Sequence, residues 1–87
     1  MHESGMIRDL VRRAEDAARD AGAKRIAGLS VWLGALSQMS PAHFRDHFDS
    51  DARGTLVEGA HLTLEASDDV RHPQAQSVML QSLELEV

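Results

Sequence analysis

Apolar residues change their spacing along this chain, and those changes fix which elements it can form. From Met6 to Ala21 they recur at steps of three and four: Met6, Leu10, Val11, Ala14, Ala17, Ala18 and Ala21. That spacing lines one face of an α-helix and predicts a helix over 4–21. Ser4 is a favoured N-cap type, and Gly22 stands where a C′ glycine closes a last turn. Arg8, Asp9, Arg12, Arg13, Asp16, Arg19 and Asp20 fall mostly elsewhere and read as a solvated charged face. From 25 to 34 the step falls to two. Leu29, Val31 and Leu33 alternate with Ser30, Trp32 and Gly34, which predicts a strand. Trp32 falls opposite the leucine set, on the face expected to be less covered; either that face is partly covered too, by local packing, or Trp32 is exposed for a partner.

Ser40-Pro41 marks a second helix start, because Ser caps well and Pro suits the first helical position. Phe44, Phe48 and Ala52 form its apolar stripe, and Gly54 is placed to end it. Leu62 and Leu64 alternate with His61, Thr63 and Glu65 in a second strand. Val78 to Val87 reads as a third, with its alternation broken. Leu83, Leu85 and Val87 share one face, while Val78 and Leu80 share the other. A bulge near Leu80, or burial of both faces there, reconciles the two sets. Ser67 to Gln76 is polar, carries Pro73 and reads as a loop. The order is helix–strand–helix–strand–strand. It predicts an α+β two-layer sandwich, with two helices on one face of a three-stranded mixed sheet. The exposed apolar set expected on the open face, with Trp32, Val78 and Leu80, predicts a partner or a second copy there.

At 87 residues the chain is one domain, 1–87, with a thin single core. Hydrophobic residues make up 43% and charged residues 26%, which excludes global disorder. There is no cysteine. Disulfides, thiolate zinc sites, iron–sulfur clusters and thiol nucleophiles are thereby excluded from this chain. A formal charge of −5 disfavours a nucleic-acid partner. No apolar run approaches the length of a membrane span, and MHESGMIRDL lacks the basic start and apolar core of a signal peptide. A cytoplasmic protein is expected. No G-x-S-x-G elbow, S-x-x-K motif, dinucleotide fingerprint or phosphate loop is present, so an enzyme is not expected.

The most specific chemical feature is Met1-His2-Glu3. The α-amine of Met1, the deprotonated amide of His2 and the His2 Nδ1 can lie in one plane. They close a five-membered and a six-membered chelate ring. The Glu3 amide nitrogen or an external group fills the fourth corner. Planar nitrogen ligation suits Ni(II) and Cu(II). His43 and His47 stand four apart on the second helix and could pinch a metal, although no zincin-type acid lies between them; the simpler reading is surface side chains. His61 and His72 have no spacing that joins them to a set. Asp68-Asp69 reads as a solvated turn.

Taken together, the chain resembles the HypA/HybF nickel metallochaperones of [NiFe] hydrogenase maturation. The residues that carry the resemblance are Met1-His2-Glu3 ahead of a long amphipathic helix and Gly22-Ala23-Lys24-Arg25-Ile26 leading into a strand. Leu33-Gly34-Ala35-Leu36-Ser37 follows, then Gly54-Thr55-Leu56-Val57-Glu58-Gly59-Ala60 before HLTLE, and Leu80 to Glu86 at the end. The chain departs from the family in three places. The family's zinc domain, with its paired C-x-x-C motifs, would fall between the second and third strands, where this chain has only the loop near 67–76. Ser40 stands where some members carry an acid, and Ala35 where many carry Glu. The resemblance implies a carrier that takes Ni(II) as cargo, without zinc, and hands it to a maturation GTPase and the hydrogenase large subunit. His2 is then the main side-chain ligand, with Met1 and Glu3 beside it. A second reading stays open: an interaction or regulatory module that keeps the fold without metal transfer.

Overall fold

A computed structural model describes residues 3–87; the side chains of residues 3 and 4 are not described. The elements are α1 (Glu3–Asp20), β1 (Arg25–Leu33), α2 (Pro41–Asp51), β2 (His61–Ala66) and β3 (Val78–Glu86). The strands lie in the order β2-β1-β3, with β1 parallel to β2 and antiparallel to β3. The sheet is therefore mixed and the fold α+β, as the hydropathy periods predict.

Helix α1 begins at Glu3, so Ser4 lies within the helix and is not its N-cap. Its buried stripe is Ile7, Leu10, Val11, Ala14 and Ala18, while Ala17 and Ala21 are exposed. Alanine fits either environment, which is why its spacing misplaces the edge of the stripe. At the other end Gly22 adopts φ +74°. Its N–H donates to the Arg19 carbonyl at 3.0 Å, and the Ala23 N–H donates to the Ala18 carbonyl at 2.9 Å. This pair of bonds is the Schellman closure, and it turns the chain into β1.

Strand β1 is the centre of the molecule. On the helix side, Ile26, Leu29, Val31 and Leu33 meet Ile7, Leu10, Val11, Phe44, Phe48, Val57 and Leu62 in one core. Ile26 and Leu29 differ in parity, yet both are buried. A register shift between Ile26 and Gly28 against β3 restores the phase. The same device solves β3. Ser30 pairs with Ser82 and Val31 with Leu80, so Gln81 is the extra residue of a bulge. Val78, Leu80, Leu83 and Leu85 consequently all pack against the core. The bulge reading of β3 holds, and the expected apolar set of Val78 and Leu80 on the opposite face is corrected.

The opposite face is not open at Trp32 either. Trp32 is only 7% exposed. Of the two readings of Trp32, local packing holds and exposure for a partner does not, because residues 67–77 fold down over the ring. The His72 ring lies 4.8 Å from the Trp32 ring, and Ala75 is buried nearby in the chain. This segment extends both edges of β1. The Ser67 N–H donates to the Leu33 carbonyl at 2.9 Å. The Gly34 N–H donates to the Ser77 carbonyl at 2.9 Å, and the Leu36 N–H to the Ala75 carbonyl at 2.7 Å. Gly34 is required here. A Cβ on it would meet the Ala75 carbonyl group, with the carbon at 2.6 Å, and the Ser77 oxygen at 2.8 Å. The case for a partner or second copy on this face loses Trp32 as its support.

Gly34→Ala should therefore lift residues 75–77 from the sheet and cost about 1–3 kcal/mol by overpacking. Urea unfolding measures the cost, and Trp32 emission should shift to longer wavelength as the ring meets water. Unchanged stability and emission would contradict the covering role of 67–77.

Candidate metal centre

Of the residues singled out by sequence, Met1 and His2 lie outside the described residues. Glu3 is the first residue of α1. The first turns of α1 lie over β3, where Met6, Asp9 and Leu10 share a cleft with Val78, Met79 and Leu80. Val78 pairs with Leu33, so α1 starts over the end of the sheet at which β1 finishes. From that end residues 34–40 lead into α2. Ser37 folds back on this turn, with its Oγ donating to the Gly34 carbonyl at 2.7 Å.

The Gly54 to Ala60 motif has a structural task at nearly every position. Gly54 and Gly59 take φ values of +77° and +78°. Thr55 Oγ1 donates to the Ala52 carbonyl at 2.6 Å and accepts from the Val57 N–H at 3.2 Å. Glu58 Oε1 accepts from the Gly54 N–H at 3.0 Å. Val57 is fully buried. The turn is then tied to both layers. Leu56 donates its N–H to Glu15 Oε2 at 3.1 Å, and its carbonyl accepts from the Ile26 N–H at 3.0 Å. These residues hold α1 against β1.

Ser40 caps α2, its Oγ accepting from the His43 N–H at 3.1 Å. The hydroxyl is thus committed to the helix end. Phe44 and Phe48 are buried beneath α2, with stacked rings 6.2 Å apart. His43 and His47 ride on the neighbouring face, their rings 4.7 Å apart and 16° from parallel. His61 is exposed at the start of β2, and His72 is held against Trp32 by accepting the Gln74 N–H at its Nδ1, 2.9 Å away. Asp69 caps its own turn, accepting the Arg71 N–H at 3.0 Å. Among the described residues, no three His, Cys, Asp or Glu side chains come together as a metal group.

Sequence reasoning did not single out Asp51 or Glu15. The Asp51 side chain is 10% exposed and faces Arg8 Nε at 3.5 Å, joining α2 to α1. Its second oxygen has no hydrogen-bond partner among the described residues. Glu15 sits within a charge-rich stretch, where a partly buried acceptor looks like any solvated carboxylate. No spacing rule reveals either one.

These features define a class: a two-layer α+β domain whose motifs build a scaffold and whose described imidazoles, those of His43, His47, His61 and His72, lie outside the buried core. A profile of the family described as hydrogenase/urease nickel incorporation, metallochaperone, HypA matches residues 1–82, and the chain belongs to that family. The hydrogenase maturation factor HypA of Methylocella silvestris is 37% identical over 65 residues, or 75% of this chain and 58% of that protein. The factor of the same name from Chlorobaculum tepidum is 35% identical over the same shares. The chain thus matches little more than half the length of these relatives. The solution structure of the Ni metallochaperone HypA from Helicobacter pylori superposes with a TM-score of 0.83 at 22% identity. That superposition covers 99% of this chain and 98% of the other. At this identity the likeness shows the fold. No helix among the described residues is long and apolar enough to cross a membrane.

Glu15→Ala removes the acceptor of the Leu56 N–H and should cost about 1–2 kcal/mol, whereas Glu15→Gln keeps an acceptor and should cost less. Denaturant midpoints of the three proteins check this order. Equal losses for Ala and Gln would show that the charge, paired with Arg19 at 3.6 Å, matters more than the hydrogen bond.

Proposed function

We propose that this protein carries Ni(II) for hydrogenase maturation and binds it through Met1, His2 and Glu3. The observation that carries the reading is a family match that begins at residue 1 and so takes in Met1-His2-Glu3. The Met1 amine, the His2 amide and the His2 Nδ1 supply three nitrogens. The Glu3 amide nitrogen or a donor from a partner supplies the fourth. Planar nitrogen ligation favours Ni(II) and Cu(II) over Mg(II) or Ca(II). The chemistry is ligand exchange and not catalysis. Each bond can be replaced singly by a donor of the receiving protein, so cargo leaves without passing through a free ion.

The expected receivers are the maturation GTPase and the [NiFe] hydrogenase large subunit, by resemblance to the family. A second copy of the chain could still pair along a free sheet edge, since β2 and β3 are both edge strands. In this reading residues 67–77 stand where the family's zinc domain is inserted, and the fold closes without that domain. A second function, an interaction module without metal transfer, draws its support from that shortened connection.

Calorimetry on the chain with its native amino terminus tests the carrier reading. Nickel binding should be lost in His2→Ala, and equally in a form extended by several residues ahead of Met1, because such an extension turns the amine into an amide and sets the new amine too far from His2 to replace it. Tight binding retained in both forms would move the cargo site elsewhere. Metal removal offers a second check. With no thiolates, zinc should have no structural role, and melting curves with and without a strong chelator should coincide. A large fall in melting temperature would reveal a structural metal.

A further inference from the structure

We propose that His43 and His47 form a second site for a divalent first-row metal ion, Ni(II) in this setting, on the outer face of α2. The choice of Ni(II) rests on the carrier reading above; the site itself rests on the geometry of α2. Residues four apart on a helix sit one turn above each other on the same face. Here the two imidazoles are already side by side, 4.7 Å between centroids and nearly parallel. Two nitrogens bound to one ion at right angles lie about 3 Å apart. Nearly parallel rings carry their in-plane lone pairs side by side, so each ring must turn about its Cβ–Cγ bond until one nitrogen of each converges on the ion.

The backbone need not move. Ser40 and Pro41 fix where α2 begins, and Phe44 and Phe48, each one residue beyond a histidine, lock its rotation by burial. With the phenylalanines held in the core, the histidine face turns outward. His43 is exposed and His47 half-buried, so an ion can reach both. Imidazole is a borderline donor that suits Ni(II), Cu(II) and Zn(II), and paired histidines four apart are a known helix solution for such ions. Asp46 and Ser50 border the same surface cleft as His47, which places a carboxylate next to the incoming charge.

The described residues hold no cluster of three metal-ligating side chains, so water must complete the coordination shell. A two-imidazole site of this kind binds less tightly than a closed chelate and exchanges its ion readily. It would serve as a holding point, and the ion would pass to or from a tighter site on the same chain or on a partner.

The test uses the full chain carrying His2→Ala, which removes the imidazole of the terminal chelate. Ni(II) is added while the ring protons of His43, His47, His61 and His72 are followed by NMR, with calorimetry in parallel. The expected result is selective paramagnetic broadening of His43 and His47. Affinity should fall about tenfold or more in His43→Gln and in His47→Gln, with amide spectra confirming that each variant folds. Equal broadening of all four rings, no uptake of Ni(II), or unchanged affinity in His47→Gln would overturn the site. A native-terminus chain insensitive to His2→Ala, alongside selective broadening here, would overturn the carrier reading's terminal site and leave this one standing.

Discussion

Everything in this small fold depends on β1 being buried on both of its faces. One face carries Ile26, Leu29, Val31 and Leu33 into the helices. The other carries Trp32, sealed by residues 67–77 and bonded in place through Gly34 and Leu36. A chain of 87 residues has little core to spare. A central strand covered on both sides extracts more apolar burial from few residues than a sheet with one wet face. Two register shifts between β1 and β3 make this possible, because each brings a side chain of the wrong parity back to the core.

That economy divides the molecule into scaffold and donors. The glycine-bearing motifs are spent on geometry. Gly22 closes α1, Gly34 admits the covering segment, and the turn from Gly54 to Gly59 ties Glu15 to β1. Most of the potential metal donors stand clear of that scaffold. His43 and His47 lie outside the phenylalanine pair of α2, and His61 is exposed at the start of β2. His72 is the exception, bound up with Trp32 in the covering segment. An ion bound at His43 and His47, as proposed above, would leave the core unchanged.

Much of the fold could be read in the sequence because periodicity reports burial where one face is wet. Helix α2, with its Ser40 cap and Phe44–Phe48 stripe, and strand β2, with Leu62 and Leu64, obey that rule. The bulge in β3 was legible as a clash of parity between Leu80 and Leu83. The covering of Trp32 was not. Residues 67–77 are polar and turn-rich, and what they contribute is backbone hydrogen bonding and a buried Ala75, neither of which leaves a periodic trace. Ser4 was misread as a cap because a favoured residue type does not fix where a helix starts. For the site, Met1-His2-Glu3 and the four-residue step from His43 to His47 stood out in the sequence as candidate donors, of which the structure describes the two helix histidines. The stacked arrangement of the latter needed coordinates.

The central claim is planar nitrogen ligation of nickel by the amino terminus, and the magnetic state of the bound ion tests it most directly. Ni(II) held by the Met1 amine, the His2 amide and the His2 Nδ1 in a square plane is diamagnetic, and binding releases the amide proton of His2. One equivalent of Ni(II) on the native chain should therefore give a diamagnetic complex with sharp proton resonances near residues 3–6 and the release of that proton. A paramagnetic, six-coordinate ion at one equivalent, bound without loss of the amide proton, would contradict it.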